Sequence, residues 1–125
     1  MSVSVIEMLA VAGGGTLGCL GRYFVDQLDI FQEHTYNTII INLAGCFLIG
    51  ILWVLLNVRE SAIYSRFFIT GLLGGFTTFS AFALHPILML KSGQYLQSIF
   101  YVLTTVVGGL ITCAIGYWIA EKFIK

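Results

Sequence analysis

The chain has 125 residues, of which 58% are hydrophobic and 10% are charged, and its formal net charge is zero. Soluble domains carry charges on about a quarter of their residues, so this composition suits a lipid bilayer better than water. The zero net charge gives no basis for a nucleic-acid partner. Cys19, Cys46 and Cys113 lie in apolar runs without metal-binding spacing, and we interpret them as packing residues.

Four stretches are long and apolar enough to cross a bilayer, which takes roughly 20 residues in a helix rising about 1.5 Å per residue. They cover approximately residues 3–23, 38–56, 67–90 and 96–123, and short polar segments connect them. The sequence therefore predicts an all-α membrane protein with four transmembrane helices. Residues 1–125 are expected to form a single membrane domain.

The basic residues are distributed almost evenly between the two sides of this predicted bundle. The two groups are Arg59, Arg66, Lys122 and Lys125 on one side and Arg22 and Lys91 on the other. Basic residues bias loops toward the cytoplasm, so the difference between the two groups favours one orientation only weakly. We therefore expect that the chain can insert in both orientations.

Small residues recur at helical spacing and predict close helix packing. Glycine pairs four residues apart occur in the first span, at Gly14 and Gly18, and in the third, at Gly71 and Gly75. The fourth span carries a longer seam of small residues, at Thr104, Gly108, Thr112, Gly116 and Ala120. In lipid, such residues allow two helix backbones to approach closely. The seam of the fourth span fits contact with either its own chain or a second subunit.

The spans contain few ionisable residues, and Asn42 is the most isolated polar group. The sequence contains no paired carboxylates, nucleophile triad or metal-binding histidine cluster, which argues against an enzyme. The Asn42 carboxamide offers donors and an acceptor, and burying it unpaired would cost a few kcal/mol. It is interpreted either as a clamp between helices or as a donor that faces a watery or anion-filled pathway.

The segment TGLLGGFTTFSAF, which starts at Thr70, predicts a break at the midpoint of the third helix. Glycine costs about 1 kcal/mol in a helix relative to alanine, and threonine loses rotamer freedom there. Membrane helices break where the freed backbone groups are buried or bind an ion. Phe79 and Phe82 follow on one helix face. Their positive ring edges suit an anion, and ordinary core packing is the alternative.

Three segments together resemble the bacterial fluoride channel family, also called CrcB-type proteins. GGGTLGCLGRY, NLAGCFLIG and GLLGGFTTFSAF begin at Gly13, Asn42 and Gly71 and match the family's signature segments in order and spacing. The resemblance extends over the whole chain, and GGFTTFS is its most specific part. It implies a passive, fluoride-selective exporter in the bacterial cell membrane, built as an antiparallel, dual-topology dimer with two pathways.

The resemblance also implies roles for individual residues. The residues implied for the fluoride pathway are Asn42, Phe79, Phe82, Thr38, Ser80 and Tyr101, with Thr105 one turn after Tyr101. Arg22 is expected to face a vestibule. A structural sodium ion at the dimer centre would be held by the backbone carbonyls of Gly74 and Thr77 from both subunits.

The chain departs from the family motif, which commonly reads TTFSTFS followed shortly by Glu. Ala81 and Ala83 replace hydroxyl residues, and His85 stands near the position of the Glu. These changes remove hydroxyl donors and a carboxylate. Two assemblies are therefore possible, a homodimer and a heterodimer with a related subunit. Two other functions also stay open. One is a small dual-topology multidrug-type exporter, for which Glu7 is the only candidate carboxylate, and the other is a non-transporting membrane assembly subunit.

Overall fold

The computed structural model describes residues 4–28, 34–59 and 61–124, and in these ranges the chain is helical without strands. Four helical stretches are long and apolar enough to cross a membrane: Val5–Gln27, Thr35–Asn57, Ala62–Lys91 and Tyr95–Phe123. The predicted all-α fold with four spans is therefore confirmed, and the chain is a multi-pass membrane protein. The third stretch begins at Ala62, five residues before the position expected from hydrophobicity.

The first, second and fourth spans are single helices, and the third is divided in two. The helices are α1 (Val5–Gln27), α2 (His34–Arg59), α4 (Phe79–Lys91) and α5 (Tyr95–Ile124), with α3 running through Ala62–Ser65, Arg66–Leu73 and Gly74–Phe76. The middle part of α3 has wide, π-type turns. Thr77 and Thr78 are extended, with ψ of 157° and 115°, which confirms the predicted break in the third helix.

The glycine pairs of the first and third spans pack against each other. A β-carbon at Gly14 would overlap the carbonyl oxygen of Phe67, and one at Gly18 would overlap that of Leu72. A β-carbon at Gly71 would lie only 2.7 Å from the carbonyl oxygen of Val11. Because no side chain fits between the two backbones, glycine is what allows α1 and α3 to pack this closely.

The small-residue seam of α5 packs on α2 of the same chain, which decides between the two partners that the sequence left open. A β-carbon at Gly116 would overlap the carbonyl oxygen of Phe47. The Thr112 hydroxyl donates to the carbonyl of Leu43 at 3.3 Å. The contact between α2 and α5 is one of the two most extensive between helices of the fold, together with that between α1 and α3. Much of the seam is therefore used within the subunit, while Thr104 at its start is exposed.

Candidate functional site at the helix break

The two halves of the third span meet at Thr77 and Thr78, where helix ends of opposite polarity come together. The C-terminus of α3 carries a partial negative charge and the N-terminus of α4 a partial positive charge. Thr78 is the N-cap of α4, since its Oγ1 accepts a hydrogen bond from the Ala81 N–H at 3.3 Å. This cap satisfies only one of the free N–H groups in the first turn of α4. The break can therefore attract a cation at one end and an anion at the other.

Asn42 holds the break from the side of α2. Its Oδ1 accepts from the Thr78 N–H at 2.9 Å, and its Nδ2 donates to the Thr78 carbonyl at 3.1 Å. In a continuous helix, the Thr78 N–H would bond to the carbonyl of Gly74. The carboxamide takes the place of that helical partner. Asn42 is therefore a clamp between helices, and one Nδ2 hydrogen is left for a second acceptor.

Arg22 holds the break from the side of α1. Its Nη1 donates to the Thr77 carbonyl at 3.3 Å, and its Nη2 lies 3.8 Å from the Cys19 sulfur. A cation is favoured at this point because the C-terminus of α3 is the negative end of that helix. The proposed vestibule role of Arg22 stays a prediction. Its contact with the break is a feature that the sequence did not indicate.

Aromatic rings form a row that starts at the break and runs along α4 to α5. The ring centroids of Phe79 and Phe82 are 5.4 Å apart, and those of Phe82 and Tyr101 are 5.9 Å apart with nearly parallel planes. The Tyr101 side chain is buried, and the side chain of Thr38 lies near its hydroxyl. By contrast, Phe79 is 79% exposed. The structure thus brings together four of the predicted pathway residues, although their function stays a prediction.

The hydroxyl groups near the break differ in whether their proton is available to an anion. Thr105 and Thr77 donate to the carbonyls of residues 101 and 73 in their own helices, at 2.8 and 2.9 Å. The Thr78 oxygen accepts as the N-cap, and the Thr78 and Ser80 hydroxyls share a hydrogen bond of 3.3 Å in which either can donate, so one of the two protons is left for another acceptor. Thr78 is therefore a candidate donor that the sequence reasoning missed. Its place just before a helical run, typical of an N-cap, is the signal that could have found it.

A groove of about 510 Å³ lies at the break, and of the predicted site residues Arg22, Thr38, Ser80 and Tyr101 do not line it. One wall and the floor carry the polar and aromatic residues, which are Asn42, Gly45, Gly74, Thr77, Thr78, Phe79 and Phe82. The opposite wall is the apolar surface of α5, which includes Thr105 and Leu110. Leu110 is 70% exposed at the rim. Because Phe79 is also exposed, a single chain leaves the groove without a wall on one side.

A metal cation at the helix break would find mainly backbone oxygen atoms as ligands. In the part of the chain that the structure describes, no group of three or more His, Cys, Asp or Glu side chains lies together. The Thr78 N–H, which in a continuous helix would bond to the Gly74 carbonyl, bonds to Asn42 instead. The Thr77 carbonyl accepts from Arg22 and has a second lone pair. These two oxygens fit a hard monovalent cation better than a divalent one, which would prefer carboxylates.

Comparison with known proteins supports the same assignment as the motifs. A family model described as "CrcB-like protein, Camphor Resistance (CrcB)" matches residues 9–117. A protein of Helicobacter acinonychis (strain Sheeba), named "Fluoride-specific ion channel FluC", is 40% identical over 125 residues, which cover 95% of this chain and 98% of that protein. A protein of the same name from Desulfotalea psychrophila (strain LSv54) is 37% identical over 123 residues, or 96% of each chain. This chain therefore belongs to the CrcB-like protein family.

Proposed function

We propose that this protein is a fluoride-selective channel that conducts fluoride passively out of the cell and so lowers its cytoplasmic concentration. The observation that carries the proposal is the groove at the helix break, where the N-terminus of α4, the Thr78 hydroxyl and the Phe79 and Phe82 rings lie together. The relatives' name, fluoride-specific ion channel, supports the same ion. Those relatives are named as channels and not as enzymes.

The groove suits a small anion because the residues that line it offer partial positive charges and no charged side chain, while the Arg22 guanidinium lies at the Thr77 carbonyl and is not part of the lining. Helix N–H groups, hydroxyl protons and ring edges each attract an anion weakly. Several weak donors in a narrow path compensate dehydration without trapping the ion. Fluoride is small and strongly hydrated, so it gains most from close donors, whereas chloride fits poorly. Asn42 contributes by fixing the position of Thr78, and its remaining Nδ2 hydrogen is a further donor.

The second wall of the groove is proposed to come from a second copy of this chain, inserted in the opposite orientation. The seams on α1, α3 and α5 are used inside the subunit, whereas the exposed Phe79 and Leu110 remain at the open side. The weak charge bias between the two sides permits both orientations. We expect the protein purified from a single gene to be a dimer. A monomer that pairs only with a co-expressed relative would instead indicate a heterodimer.

A structural sodium ion is proposed where the two breaks of such a dimer face each other. The Gly74 and Thr77 carbonyls of each subunit would hold the ion. A bound ion would give these carbonyl oxygens a partner that hydrocarbon cannot supply. The freed Gly74 carbonyl supports this proposal. Arg22, which already lies on the Thr77 carbonyl, supplies positive charge at the same point and limits how strongly a cation binds.

The two other functions have less support. A multidrug-type exporter needs a carboxylate within the membrane, but Glu7 lies in the first turn of α1 and pairs with Arg66 at 3.5 Å. An assembly subunit would need the small-residue seams for outside partners, and α1, α3 and α5 use them internally.

Purified protein in liposomes separates the three functions. We expect rapid dissipation of a fluoride gradient without an energy source, and no transport of a cationic dye against a proton gradient. Dye uptake without fluoride flux would indicate the exporter, and the absence of both would indicate the assembly subunit. A wild-type preparation that is monodisperse in detergent is the required starting point for each arm.

A further inference from the structure

His85 lies against the far end of the aromatic row, beyond Tyr101. Its Nδ1 is 3.2 Å from the Tyr101 hydroxyl oxygen, and the two rings meet edge to face with centroids 5.8 Å apart. Phe82 stacks on the same tyrosine ring. The Tyr101 hydroxyl therefore has two polar neighbours, the imidazole of His85 and the hydroxyl of Thr38.

The single proton of the Tyr101 hydroxyl can point in only one direction at a time. When Nδ1 of a neutral imidazole is unprotonated, it accepts that proton, and Tyr101 then offers an anion only oxygen lone pairs. An imidazolium instead donates from Nδ1 to the Tyr101 oxygen. The hydroxyl proton is then released toward Thr38 or an anion on the pathway.

We propose that His85 is a further pathway residue, which orients the Tyr101 hydroxyl proton and adds positive charge at this end of the anion pathway when it is protonated. The proposal rests on the fluoride pathway proposed above. Imidazole is the side chain that ordinarily changes charge between pH 5 and 8. Fluoride conductance therefore increases as the solution becomes acidic in this range.

The charged and titratable groups around His85 are consistent with a local effect. Asp26 acts on it electrostatically from α1, and Tyr101 contacts it from α5. α2 reaches this point with Thr38, which is uncharged. On α4 itself, Lys91 lies in the last turn.

The test is fluoride conductance in planar bilayers at symmetrical pH between 5.5 and 8, with His85→Gln as the decisive variant. For the wild type, we expect a rise of about fivefold from pH 8 to pH 5.5, the size of effect that one partly screened charge gives. His85→Gln should be pH-independent over the same range. His34→Gln removes the other histidine of the sequence and should keep the wild-type profile. Protein-free bilayers at each pH measure the leak of HF through lipid.

The outcomes separate this inference from the proposed function. Wild-type conductance that is fluoride-selective but flat with pH overturns the role of His85 and leaves the channel in place. A pH profile retained by His85→Gln does the same. No fluoride conductance at any pH contradicts the channel, and the inference with it. If His85→Gln does not purify as a monodisperse protein, His85→Asn, which keeps a polar atom near the Nδ1 position, serves the same test with the same expected flat profile.

Discussion

Replacing Asn42 by alanine should loosen the helix break and stop conduction at the same time. The substitution removes both hydrogen bonds between the carboxamide and Thr78, at 2.9 and 3.1 Å. Thr78 is only 8% exposed, so water replaces these bonds poorly. The Thr78 N–H cannot return to the Gly74 carbonyl unless the extended residues rewind into a helix. In the variant, the helix break therefore either loses its fixed conformation or rewinds into a helix that closes the groove.

The size of the effect can be bounded from the two bonds. Interhelical hydrogen bonds in membrane proteins contribute on average about 0.6 kcal/mol each, which gives a lower bound of about 1 kcal/mol for the pair. Leaving a buried group unpaired costs about 1–3 kcal/mol, which gives an upper bound of about 6 kcal/mol for the pair. Local opening of the break should therefore be favoured by at least about fivefold.

Hydrogen exchange and fluoride efflux measure the two consequences of the Asn42 substitution separately. In Asn42→Ala, peptides that span the break should exchange at least about fivefold faster, and fluoride efflux should fall by an order of magnitude or more. Asn42→Asp keeps an acceptor for the Thr78 N–H but adds negative charge, so it should reduce efflux further. Asn57→Ala, at an exposed position of the same helix, is the matched control. Unchanged exchange at the break together with wild-type efflux in Asn42→Ala would refute the role of the clamp.

Further predictions concern the rings, the packing behind the break and the cation. Phe82→Ile keeps an apolar side chain but removes the ring edge, so efflux should fall at least about tenfold in a dimer that still folds. Phe100→Ile, an exposed position on α5, should leave efflux unchanged, and equal effects of both would assign Phe82 to packing. A β-carbon at Gly45 would overlap the Thr77 methyl group, so Gly45→Ala should lower the free energy of unfolding by about 1–3 kcal/mol. Gly13→Ala is the control, because a β-carbon there has room and should leave the free energy of unfolding unreduced. Long dialysis from sodium into a large organic cation should weaken the dimer and reduce efflux, and no change in either would exclude the sodium site.

The sequence predicted the four spans and the helix break because both depend on local composition. Long apolar runs specify crossings, and glycine next to paired threonines at the midpoint of a span specifies a discontinuity. The start of the third helix was missed because Arg66 looks like the end of a loop. In the fold, the helix begins at Ala62 after Ser61, and Arg66 lies within it, where its guanidinium pairs with Glu7 at 3.5 Å.

The contacts that stabilise the break could not be predicted, because they join residues far apart in the sequence. Arg22 and Thr77 are 55 residues apart, and Asn42 and Thr78 are 36 apart. The sequence left the role of Asn42 open between clamp and donor, and only its two bonds to one backbone unit identify the clamp. Likewise, hydroxyl side chains look equivalent in a sequence. The structure shows that Thr77 and Thr105 donate to backbone carbonyls one turn earlier, whereas the Thr78 oxygen accepts as the N-cap of α4.

The most direct test of the central claim, that the groove at the break conducts fluoride selectively, is the reversal potential across a planar bilayer with fluoride on one side and chloride on the other. Ring edges, hydroxyls and helix N–H groups in a narrow path favour the smaller anion. We therefore expect a large reversal potential, with the sign that shows fluoride to be far more permeant than chloride. A reversal potential near zero, which means equal permeability to both anions, would contradict the claim.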